Sequence, residues 1–221
     1  MSEPLDSSVP KKTDEVLVSA QKSGMCRLGV EIARRTFISE FTPLVKKPKV
    51  LDEIADLIEI LPHDKFIDGL PIRVPGDEDT IGCRTIMGKV ALDMDAMVSL
   101  DHAFQVAYHE LLEEVSPRLG TSLRSFHKLH EGIVQYFVRE ITEKQNKQYY
   151  PSAYEDRADI IKKLIEKGVP EELWQQTLVN NRKITELTKT VNRVLGHEQG
   201  FREIDWALDD DDWSKIDDIL S

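Results

Sequence analysis

The chain has 221 residues, 40% of them hydrophobic, with a formal net charge of -11 and a sequence pI near 5.1. That length and apolar content suffice for an ordinary buried core, while the acidic balance lacks the positive surface that non-specific nucleic-acid binding needs to displace counterions. No apolar run approaches the ~18 to 20 residues of a membrane-spanning helix, so neither nucleic acid nor membrane is an expected partner.

The opening stretch MSEPLDSSVPKKTDEV has no apolar segment of a secretory signal, and Cys26 and Cys83 lie in no CxxC pair, which together point to a cytoplasmic protein with buried thiols. Residues 1 to about 20 are polar, proline-containing and unperiodic, and read as a flexible N-terminal arm. Met25, Leu28, Ile32 and Phe37 then recur at close to helical spacing. So do Leu51, Ile54, Ile58 and Leu61, a pattern that predicts a second helix stopped by Pro62.

The texture changes at DGLPIRVPGDEDTIGCRTIMGKVALDMD, where glycines and prolines cut short apolar alternations. Candidate strands of a small antiparallel or mixed sheet are Ile72 to Val74, Thr80 to Ile86 and Lys89 to Leu92. Helical period returns from about Ala96 with Leu100, Phe104, Ala107 and Leu111, and again with Phe126, Leu129, Ile133, Phe137 and Ile141. Three further helices are expected at Ala158 to Lys167, Pro170 to Leu178 and Ile184 to Leu195, the last closed by Gly196. This order describes an α+β domain over residues 21–200, followed by an acidic aromatic segment at 201–221.

The first helix after the strands contains HELLEE, residues 109–114. His109 and Glu113 are four apart and share one face, while Glu110 is turned by about 100° from His109. This is the spacing of an HExxH helix, in which two imidazoles grip a metal and the intervening glutamate takes a proton from the attacking water, with an acid in place of the second histidine. As isolated residues, Glu110, Glu113 and Glu114 read first as a solvated acidic face at the end of a helix and His109 as a hydrogen-bonded structural histidine.

The next helix carries HEGIVQYF, residues 130–137. With these two stretches the chain resembles the gluzincin metallopeptidases, whose small forms follow HELxH with a helix reading NEGxTEYF. The likeness continues through YEDRADIIKKL from Tyr154 and VPEELWQQTLVNN, and covers roughly residues 45 to 196. It implies a zincin-like fold with a two-helix metal-site scaffold, and a peptide or protein as substrate or partner. It also implies Glu110 as general base, His109 as the first metal ligand, Glu113 in the place of the second and Glu131 as the third, and Gln135 where an acid supports the first histidine. The 22 residues from His109 to Glu131 suit two antiparallel helices with a short connection.

Three departures bear on chemistry: Glu113 replaces histidine, His130 stands where the family has asparagine, and Gln135 replaces the supporting acid. Two carboxylates and one imidazole make a bound ion a poorer Lewis acid and move preference from zinc toward harder ions such as Mn²⁺, Fe²⁺, Mg²⁺ or Ca²⁺. Gln135 could accept the His109 N–H but brings no charge. His127, four residues before Glu131, could offer an imidazole; otherwise His127 and His130 are helix residues near an N-terminus. Tyr149, Tyr150 and Tyr154 could supply a phenol to an oxyanion, Tyr154 being the choice by motif position.

From Glu203 to Ser221 eight acids face one lysine, interleaved with Trp206, Leu208, Trp213, Ile216, Ile219 and Leu220. Such a segment docks on a partner or back on the domain, with Trp206, Trp213 and Ile216 as anchors, or packs as an ordinary C-terminal helix. Two functions remain open: a metallopeptidase-like protein, weakly active or inactive, with one divalent ion or none, and a non-catalytic binding or assembly module.

Overall fold

The helical period that begins at Met25 belongs to one long helix, α1, which spans Val9–Phe41. The structure is a computed structural model that describes residues 9–69, 81–85, 88–120 and 126–221, the first ten as backbone only. Residues 9–20, expected as part of a loose arm, therefore continue α1. Cys26, Val30, Ala33, Phe37 and Phe41 form its buried stripe at three- and four-residue steps. That stripe lies along α4 (Leu100–Arg118), and the two meet at Gly29, where an added Cβ would stand 2.6 Å from the Leu100 carbonyl oxygen.

The second expected helix is only half helical. α2 covers Lys49–Ala55 and buries Leu51 and Ile54, but Ile58 and Leu61 belong to a strand, β1 (Ile58–Leu61). A short apolar run fits both periods, and here the partner decides: β1 pairs in parallel with β3 (Val90–Asp93), Ile58 opposite Val90 and Leu61 opposite Asp93. After α3 (His63–Gly69), β2 (Gly82–Arg84) pairs antiparallel with β3, giving the order β1-β3-β2. The candidate strand Ile72 to Val74 lies outside the described residues. β3 is buried along its length, so the sheet packs on the helices with β2 at one edge.

α5 (His127–Lys144), α6 (Glu155–Glu166), α7 (Glu171–Val179) and α8 (Asn181–Leu195) follow close to their expected places, and α8 ends at Gly196 with φ of 66°. The architecture is α+β, helix-rich with a small mixed sheet. Among the described residues no helix is long and apolar enough to cross a membrane.

The acidic end forms α9 (Gly200–Asp209) and α10 (Trp213–Leu220), whose Phe201, Ile204, Leu208, Ile216 and Leu220 enter the same core as Phe37, Phe104 and Trp174. Of the three expected anchors Ile216 is buried, whereas Trp206 and Trp213 remain 51% and 39% exposed. The reason is helical phase: Phe201, Ile204 and Leu208 set the inner face of α9, and Trp206 falls on the outer one.

α9 also completes α5. Phe126, at the α5 N-cap, offers no side-chain cap, and the backbone N–H of Leu129 in the first turn is instead bonded by Asp205 of α9. Burial, and then the charge of Asp209, push the Asp205 carboxyl up to about 6. A raised carboxyl favours the fold below the ordinary carboxylate range and loses that contribution as pH climbs toward 6. Asp205→Asn keeps an acceptor without the charge, so it should stabilise the protein by about 1–2 kcal/mol at pH 7.5 and flatten the fall in thermal midpoint between pH 4 and 6. Thermal melts of both proteins across that range are the check.

Candidate metal centre

α4 and α5 run antiparallel, since Asp101 of α4 meets Lys147 just past α5 while His109 meets Glu131 near its start. Their facing residues place His109, Glu113 and Glu131 together, with one donor atom from each within 4.8 Å of the other two. The His109 Nε2 lies 3.4 Å from Glu113 Oε1 and 3.7 Å from Glu131 Oε2. Two ligands each ~2.1 Å from one ion stand at most about 4.2 Å apart, so both separations fit a shared cation. Glu131 Oε2 is buried and makes no hydrogen bond among the described residues, the His109 Nε2 at 3.7 Å lying just beyond that range. A His/Glu group able to hold a metal ion is therefore present.

Electrostatics at this cluster are those of a proton caught between carboxylates. Burial opposes a charged His109, but Glu113 and Glu131 outweigh it and hold the imidazole well above its ordinary range. Burial likewise works against the Glu113 carboxylate, yet the pull of His109 takes it down to about 2. Glu131 moves the other way, raised by burial and by the charge of Glu113.

Glu110 sits beside the cluster, its carboxyl raised to about 8 by burial first and then by the neighbouring Glu113. It packs on β2 so closely that a Cβ at Gly82 would stand 2.7 Å from its Cδ and 2.9 Å from its Cγ. Glycine at this edge-strand position is the space that Glu110 occupies. His109, Glu110 and Glu113 open on a cleft of about 550 Å³ whose walls are Ile81 to Arg84 on one side and Tyr150 to Tyr154 on the other. Tyr154 stacks in near-parallel, offset fashion on the His109 ring, centroids 5.7 Å apart and planes 14° apart. Burial and the charges of Glu131 and Glu113 push its phenol up to about 12, so it keeps its proton at neutral pH.

The remaining expected residues fall differently. Gln135 turns its amide nitrogen to Glu155 Oε1 (2.9 Å) and Tyr149 Oη (2.5 Å). His127, the first residue of α5, is exposed and is not part of the three-residue cluster. His130 is buried, and its charge helps keep the Glu113 carboxyl low. No residue of the acidic end lines the cleft.

Glu155 and Gln105 were not foreseen. Glu155, the first residue of α6, accepts from Gln135, Tyr149 and the backbone N–H of Ser152, so an acid reaches this neighbourhood from a different helix than the motif suggests. Gln105 lies one turn before His109 on the same face, a spacing visible in the sequence. No protein-family model, curated protein or solved structure matches this chain.

Proposed function

We propose that the protein is a gluzincin-like, zincin-related metallopeptidase homologue that holds one divalent ion on His109, Glu113 and Glu131 and hydrolyses peptides weakly. The observation that carries this reading is the convergence of three donor atoms from two helices within 4.8 Å, two of them, from His109 and Glu113, on residues that line a cleft. What a divalent ion supplies there when bound is Lewis acidity toward the carbonyl and the water. With two carboxylates in the set that acidity is modest, and hard ions such as Mn²⁺ or Fe²⁺ suit the site better than they suit a two-histidine one.

The chain's own residues do the rest. Glu110, whose carboxyl titrates at about 8, acts in its ionised form, which a bound cation would favour. It takes the proton from water attacking the peptide carbonyl and returns it to the departing amine, so any cleavage should rise toward mildly alkaline pH. The protonated Tyr154 phenol donates to the oxygen on which charge develops. A second reading, a non-catalytic binding module, draws support from Gln135, which supplies no charge and whose amide nitrogen is spent on Tyr149 and Glu155. Elemental analysis and calorimetric titration of chelator-stripped protein with Mn²⁺ and Zn²⁺ test the metal reading: one equivalent should bind, and saturation by neither ion overturns it. Cleavage of a quenched peptide library by the loaded protein, lost in Glu110→Gln, separates the weak peptidase from the binding module.

A further inference from the structure

We propose that Gln105 is a positioning residue of this centre: the two ends of its side-chain amide fix the strap 147–154 along α4 so that Tyr154 settles on the face of His109. Joining α5 to α6 without helix or strand, the strap must find partners for its own backbone groups. Gln148 N–H donates to Asp101 Oδ2 (3.0 Å), and the Gln148 carbonyl accepts from Gln105 Nε2 (2.6 Å). Tyr150 N–H donates to Gln105 Oε1 (3.0 Å), and Ser152 N–H to Glu155 Oε1 (3.0 Å). Alternate residues are thus held, as in an extended strand, and two of these four bonds come from one side chain that is 4% exposed.

Two ring pairs flank the amide. His102 stacks on Tyr150 at 4.8 Å and 26°, and His109 stacks on Tyr154 at 5.7 Å and 14°. Seven helical residues from His102 to His109 advance about 10.5 Å, and four residues from Tyr150 to Tyr154 would span about 13 Å if fully extended. The turn at Ala153 and Tyr154 shortens them toward the helical distance, so both stacks form together in this register. A slip of one residue would carry Tyr154 about 3.3 Å along the helix and off the imidazole. Asp101, Gln105 and His109 follow one another at four-residue steps, so a single stripe of α4 serves both the strap and the ligand cluster. The consequence for the metal rests on the function proposed above; the placement of Tyr154 does not.

The test uses the full chain without metal. In the wild type the Tyr154 ring current displaces the His109 ring-proton resonances, with Tyr154→Leu as the reference for no displacement. Gln105→Met, close in shape but without the amide, should lose roughly half or more of that displacement and exchange the Tyr150 amide proton roughly tenfold faster. Unchanged His109 resonances in folded Gln105→Met overturn the proposal. Should that variant fail to fold, Gln105→Glu, which keeps the acceptor for Tyr150 and loses the donor for Gln148, decides by the same two readouts. A further arm expects about tenfold weaker Mn²⁺ binding by Gln105→Met. A wild type that binds no Mn²⁺ counts against the metal reading alone, and the ring-proton displacement still decides the strap.

Discussion

Glu131→Ala should weaken divalent-metal binding by about 100-fold or more, and Glu113→His should move zinc affinity in the opposite direction, tighter by roughly tenfold. In the proposed set Glu131 is the member from α5; without it an ion would keep His109 and Glu113 from one helix turn and lose its clamp across the pair. Glu113→His replaces a hard carboxylate by an imidazole at the same helical position, and zinc prefers nitrogen there more strongly than manganese does. Titration of each variant with Zn²⁺ and Mn²⁺ checks both the size of each change and its dependence on the ion. Glu131→Ala with unchanged affinity would remove Glu131 from the ligand set. The proton held by His109 between Glu113 and Glu131 competes with the ion, so wild-type affinity should rise with pH and binding should release acid.

How legible this was in the sequence differs from element to element. Long helical periods such as Leu129, Ile133, Phe137 and Ile141 located α5 because a face that buries residues at three- and four-residue steps leaves little alternative. Ile58 to Leu61 was misread because four residues carry too little phase to separate strand from helix, and the deciding partner, β3, lies some thirty residues away. Spacing put His109 and Glu113 on one face, and the likeness of HEGIVQYF to the second gluzincin helix, not spacing, added Glu131 as their neighbour. Spacing could not show how Gln135 spends its amide, because Tyr149 and Glu155 reach it from the strap and α6. The strap carries no period at all, and the outward turn of Trp206 depends on which face of α9 Phe201 and Ile204 claim.

Gly132 makes the same point at the ligand helix and gives the second large effect. In the middle of an exposed helix, Gly→Ala stabilises by up to about 1 kcal/mol through backbone entropy and helix propensity. Gly132 is buried against α6, however, and an added Cβ would stand 2.8 Å from the Arg157 carbonyl oxygen, 3.0 Å from its carbonyl carbon and 3.0 Å from its Cβ. Two of those three atoms are backbone, so relief requires α5 and α6 to part, and overpacking of this kind costs about 1–3 kcal/mol. Steric cost therefore exceeds the propensity gain, and Gly132→Ala should lower stability by about 1–2 kcal/mol in chemical denaturation. Because Glu131 is the preceding residue and Glu155 and the strap lead into α6, the same variant should loosen metal binding beyond what lost stability alone explains. A Gly132→Ala protein at least as stable as the wild type would show that the helices can separate without strain, and that the close approach of α5 and α6 is not what holds Glu131 in place.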